Sequence, residues 1–232
     1  MKEKRLYNIA MVGAVICFIG DILLGLFTPA LEFGNKIVGI SFSYEWADVE
    51  PVRFVIAGFL GSVALLLMFS GFYGIYLRMK DRNDGLSSLF LLSAFVFVSV
   101  GTLYHNVFAV TAYTYNKLMA CGFDQAQDIS MDIFNTFILV SIPAAIGYAC
   151  MTVVFFISCL KGNIYPKRWM CFINPLVCML ICVALSKILP QTPFVNGIFS
   201  MGQQSIGLFI VFMTLFVTSK GIKAHGKTRM NI

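Results

Sequence analysis

Asp21 is the one acidic residue set well inside a long apolar run, in the segment Gly20-Asp21-Ile22-Leu23-Leu24-Gly25. A carboxyl group in hydrocarbon is costly, so such a residue faces a bundle interior or a water-filled space, where it binds, relays a proton or pairs with a polar neighbour. His105 is the partner candidate for acid–base work, the only histidine in an apolar run. It shares a helical face with Thr102, Asn106, Ala109 and Tyr113 at spacings of three and four. A third group, Asn196, Ser200, Gln203, Gly207, Thr214 and Thr218, repeats at the helical period, bordered by Gln204 and Ser205. A polar stripe of that length cannot face lipid cheaply, so it lines an interior.

Two chemistries suit these residues. One is binding or passage of a small molecule or lipid in an outward-facing polar cavity lined by Asp21, Thr102, His105, Asn106, Ser200, Gln203 and Gln204, in a sensor, carrier or accessory subunit. The other is a lipid-modifying enzyme, with His105 as acid or base and Asp21 orienting it or stabilising charge. The first is preferred, because membrane enzymes of that kind display several histidines and acids at depth and this chain has one of each. The plain alternative is packing, with Asp21 as interhelical glue and His105 satisfied near the interface.

The elements that must position them follow from composition. With 59% hydrophobic residues, 12% charged and a mean hydropathy of +0.83, the chain belongs in lipid and is not a soluble enzyme. About 20 apolar residues are needed to cross a bilayer as a helix, because each backbone amide must be satisfied within its own segment. Six segments meet that length: 7–28, 52–77, 86–115, 133–160, 169–188 and 195–219. The expectation is an all-α bundle of six transmembrane helices over 1–232, a single domain with no soluble insertion. At about 1.5 Å per residue, Asp21 lies about 21 Å above Tyr7, and Gln203 and Gln204 about 12 Å below the opposite surface, so both groups converge in the outer half.

Positive charge orients the bundle. Lys2, Lys4, Arg5, Arg78, Lys80, Arg82, Lys161, Lys167, Arg168, Lys220, Lys223, Lys227 and Arg229 fall on one side. Only Lys36, Arg53, Lys117 and Lys187 fall on the other, with Glu32, Glu45, Asp48, Glu50, Asp124, Asp128 and Asp132. Both termini are therefore expected in the cytoplasm of a bacterial plasma membrane. The net charge of +6 reads as a topology signal with lipid headgroups as partner, and no nucleic-acid partner is expected. Lys2, Lys4 and Arg5 resemble the start of a secretory signal, but the apolar run exceeds the usual length of about 7 to 15 residues and contains Asp21, so no cleavage is expected.

Six of the seven cysteines, Cys17, Cys150, Cys159, Cys171, Cys178 and Cys182, lie within or at the edges of apolar segments and read as packing residues; Cys121 lies in an outer loop without a partner there. No metal and no cofactor are expected. The outer stretch Tyr44 to Arg53 reads as an interfacial anchor, with Tyr44 and Trp46 among headgroups and Arg53 neutralising a carboxylate, or else as a lid. Gly58, Gly61, Gly71 and Gly74 allow close helix approach, and Pro143 and Pro175 read as kinks, with Asn174 serving a freed carbonyl.

In its six-helix layout, the Gly20 to Gly25 segment and Gly202-Gln203-Gln204-Ser205, the chain resembles uncharacterised bacterial integral membrane proteins grouped as domains of unknown function. The resemblance spans the full length and implies no activity. Ceramidase-like membrane hydrolases hold zinc with three histidines, an aspartate and a serine nearby; His105 and His225 are the only histidines here, which argues against that chemistry.

Overall fold

The computed structural model describes residues 2–30, 32–35, 40–82, 84–165 and 167–219. Lys36 and the basic tail with Lys220, Lys223, His225, Lys227 and Arg229 lie outside the described residues. The architecture is all-α: α1 (Lys2–Gly25), α2 (Val52–Lys80), α3 (Asp84–Ala120), α4 (Ala126–Phe137), α5 (Ile142–Leu160), α6 (Pro175–Ile188), a short α7 (Pro193–Val195) and α8 (Gln203–Thr218). The only strands among the described residues, β1 (Gly34–Asn35) and β2 (Ile40–Ser41), form a small antiparallel hairpin between α1 and α2.

Among the described residues, four stretches are long and apolar enough to cross a membrane: Glu3–Gly25, Val52–Lys80, Gly85–Ala120 and Ala126–Leu160. The α7–α8 region adds a fifth if its two halves, bent by 55°, count as one span. The segment expected over 169–188 is different. It opens with a 3₁₀ turn at Arg168–Phe172, and α6 has 14 residues, about 21 Å, short of the roughly 30 Å hydrocarbon core.

Asn174 explains that break. Its side chain accepts from the Leu176 amide at 2.9 Å and so caps α6, while its amide nitrogen donates to the Thr152 carbonyl on α5 at 3.0 Å. Pro175 occupies the first turn of α6, where the missing N–H costs nothing, so it starts a helix and does not kink one; Pro143 stands just after a 3₁₀ turn (Ile138–Ser141) that separates α4 from α5 within one apolar stretch. Small residues bring the long helices together: an added Cβ at Gly13 would lie 2.8 Å from the Ala64 carbonyl of α2, and one at Gly71 would lie 2.5 Å from Ala10 and from Phe212.

Two apolar cores result among the described residues, called inner and outer after the orientation expected from the charges. The inner one joins α1, α2, α3, α5 and α8 around Tyr7, Met68, Phe72, Phe155 and Phe212. The outer one is built from Leu24, Phe27, Phe33, Phe42, Trp46, Phe54, Phe108, Tyr115 and Phe134 and buries the connection expected to be a loop over 29–51. Trp46 is 1% exposed and sits edge-on to Phe27, Phe33, Phe54 and Phe108, so it is no headgroup anchor. Its 3₁₀ turn (Tyr44–Asp48) is tied down by Asn116, whose amide donates to the carbonyls of Trp46, Ala47 and Val49 at 2.8 to 3.2 Å. Arg53 meets no carboxylate among the described residues: its Nε donates to the Leu23 carbonyl at 2.6 Å and its guanidinium lies over Phe27. Asp124, Asp128 and Asp132 are solvated, the last two on α4.

At the inner end Arg78 is buried. It pairs with Glu3 at 3.3 Å, donates to the carbonyls of Ile164 and Leu215 and to the Ser219 hydroxyl, and covers the Tyr7 ring. One guanidinium thus ties the start of α1, the turn after α5 and the end of α8 to α2.

Candidate functional site

Cys17 and Asp21 lie one turn apart on the same face of α1, both buried. Opposite them, α3 presents His105, whose Nε2 is 3.7 Å from Cys17 Sγ. The ring fits because position 61 of α2 is glycine: a Cβ there would lie 2.5 Å from His105 Nδ1. The donor atoms of Cys17, Asp21 and His105 all lie within 4.8 Å of one another, close enough to touch one small ligand or ion. From α8, Ser205 Oγ donates to Asp21 Oδ2 at 2.5 Å, a short charge-assisted contact if the carboxylate is ionised.

The chain leading into α8 is irregular beside this cluster. Residues Asn196–Met201 form a π-helical turn, which ends at Gly202 where the 55° bend places α8 on a new axis. Phe18 of α1 fills the space at Gly202, since a Cβ there would lie 2.6 Å from its ring. Asn196 anchors the other end by donating to the Gly25 and Phe27 carbonyls at 2.9 and 3.2 Å, which serves the open C-terminus of α1. Gln203, the first residue of α8, has a buried Oε1 without a hydrogen-bond partner among the described residues.

The expected lining residues are divided by this geometry. Asp21 and His105 come together, and Gln203 belongs to the same broken helix. Ser200 is half-buried within the π turn. Thr102 donates to its own helix at the Val98 carbonyl. Asn106 is exposed and donates to Ser62 Oγ on α2 at 2.9 Å, an interhelical tie on the outer surface of the bundle. Gln204 lies beside Tyr148 of α5. Cys17 and Ser205 are the members that sequence reasoning missed. The four-residue spacing of Cys17 and Asp21 was the available signal, hidden because a membrane cysteine passes for a small apolar residue.

Among the described residues, apolar side chains lie above the cluster. One turn beyond Asp21 and His105, Leu24, Phe27 and Phe108 enter the outer aromatic core, and Met201 packs against it. An open depression among Thr28, Ala30, Glu32, Ser43, Tyr44 and Glu45 lies on the far side of that core, among the outer connections. None of the curated proteins and none of the solved structures compared with the chain matches it. Residues 1–221 match a family described as a family of unknown function (DUF6796), and the protein belongs to that family.

Proposed function

We propose that the protein is a multi-pass bacterial plasma-membrane protein, one domain with six membrane-embedded segments and both termini cytoplasmic, that binds or passes a small polar ligand at Asp21, His105 and Gln203. The observation carrying this reading is the break in the α7–α8 region beside the buried acid. Helices interrupted in mid-membrane free backbone groups and supply two half-helix ends, and π turns are frequent at functional sites. A broken helix next to the only acid deep in an apolar run is an expensive arrangement for packing alone.

Orientation is supported by the charges: Arg78, Lys80, Arg82, Lys161, Lys167 and Arg168 cluster at the inner helix ends, against Arg53, Lys117 and Lys187 at the outer ends. The aromatic core over the cluster acts as a cover that closes the site from outside. Ligand exchange then uses a movement of the cover or of the broken helix, and the cavity opens only on exchange.

The test is native mass spectrometry of the detergent-purified chain beside Asp21→Asn and His105→Ala. A stoichiometric small molecule held by the wild type and lost in both variants is the expected result; identical spectra for all three overturn the reading. The second reading, a lipid-modifying enzyme using His105 with Asp21, draws on the approach of His105 to Cys17. A covalent acyl adduct on the wild type, missing from His105→Ala, would favour it in the same experiment.

A further inference from the structure

We infer that Cys17, Asp21 and His105 form a binding site for a borderline divalent transition-metal ion, of which Zn²⁺ is the best fit. The inference rests on the reading that the cluster is a ligand site and names the ligand's class.

The three side chains supply sulfur, oxygen and nitrogen from two helices that pack on a common partner, α2. Zn–S bonds of about 2.3 Å and Zn–N bonds of about 2.0 Å at a tetrahedral angle separate the two ligand atoms by about 3.5 Å. Cys17 Sγ and His105 Nε2 are 3.7 Å apart, so they already stand near the length of a tetrahedral edge. The carboxylate lies within 4.8 Å of both, so a shift of roughly 1 Å completes the set.

Ligand chemistry narrows the ion. A thiolate and an imidazole disfavour Mg²⁺ and Ca²⁺, which take oxygen ligands, and suit zinc and its first-row neighbours. Charge supports the same choice: one thiolate and one carboxylate cancel a dication, so the loaded site is neutral overall, the cheapest state for ions away from water. Ser205 donates its hydroxyl to the carboxylate, as outer partners do in metal sites. Three protein ligands leave a tetrahedral position open, which is the form of sites that exchange a ligand rather than of closed structural sites.

The experiment is titration of the purified full-length chain with Co²⁺, read by the thiolate-to-cobalt absorption band, followed by displacement with Zn²⁺. One equivalent is expected to bind in the wild type. Cys17→Ser and His105→Gln should lose the band, and Ser205→Ala should weaken binding about tenfold. A variant replacing Cys121, Cys150, Cys159, Cys171, Cys178 and Cys182 by serine or alanine should keep it, which guards against binding at the other thiols. Absence of the band from the wild type, or its survival in Cys17→Ser, overturns the inference. An organic ligand seen by native mass spectrometry together with no cobalt band overturns the metal assignment alone and leaves the binding reading standing. Neither metal nor organic ligand overturns both.

Discussion

At the scale of single residues, Arg78 and Asp21 are the two side chains among the described Asp, Glu, Lys and Arg residues that the fold buries, and it treats them differently. Arg78 is satisfied by two backbone carbonyls, a hydroxyl and a carboxylate. Removing it strands those acceptors, so Arg78→Ala is expected to cost on the order of 3 kcal/mol, read as a lowered Tm in detergent. Arg78→Lys should recover little of that loss, because one ammonium cannot reach acceptors spread over α1, α8 and the turn after α5. The sequence marks Arg78 only as one more positive charge at a helix end, since bonds to carbonyls leave no trace in side-chain types. Asp21 and His105 were legible for the opposite reason: their side chains are rare in such surroundings and have to meet something. Their partners were harder to see, because serine and cysteine are common in membrane helices for packing alone.

At the scale of elements, the break before α8 decides which polar residues meet. The pattern from Asn196 to Thr218 reads as one stripe on one regular helix. A π turn has a wider repeat than an α-helix, and the bend at Gly202 adds a change of axis, so residues before Gly202 no longer line up with those after it. Asn196 consequently caps α1, while Ser205, at the border of the stripe, reaches Asp21. Gly202→Ala should test how tightly this junction is packed. The new methyl group would press on the Phe18 ring, with an expected loss of about 1 to 3 kcal/mol in thermal or denaturant unfolding. Adding Phe18→Ala should make the cost of the glycine replacement smaller than in the wild-type background, and an unchanged cost would assign the clash to the Ile198 carbonyl, 2.9 Å from the added methyl group, instead of the ring. The fifth apolar stretch was misjudged at the same level: Asn174-Pro175 looks like a kink within a span but acts as a cap and first turn, and hydropathy is blind to that difference.

At the scale of the whole molecule, α3 is the long axis. Its 37 residues extend about 55 Å, well beyond the roughly 30 Å of hydrocarbon. The excess carries Asn116 and Tyr115 into the outer core and leads to α4, so the connections expected over 29–51 and 116–132 are largely a folded cap. Hydropathy located the four long spans because length and apolar content suffice for them. The cap was illegible because an aromatic residue near a membrane boundary reads equally well as a headgroup anchor or as core. Orientation makes a direct prediction at this scale. Cys121 is exposed at the tip between α3 and α4, and a membrane-impermeant maleimide should label it on intact cells without permeabilisation. Labelling only after lysis would invert the proposed topology.

The burial of Trp46 has one more consequence. Trp169, the other tryptophan, is 61% exposed in the 3₁₀ turn at the inner end, while Trp46 is enclosed by rings at the outer end. The molecule therefore carries its two tryptophan fluorophores in unlike surroundings at its two poles. Loosening of the aromatic core changes the light from one and leaves the other, at the far end of the bundle, as an internal standard.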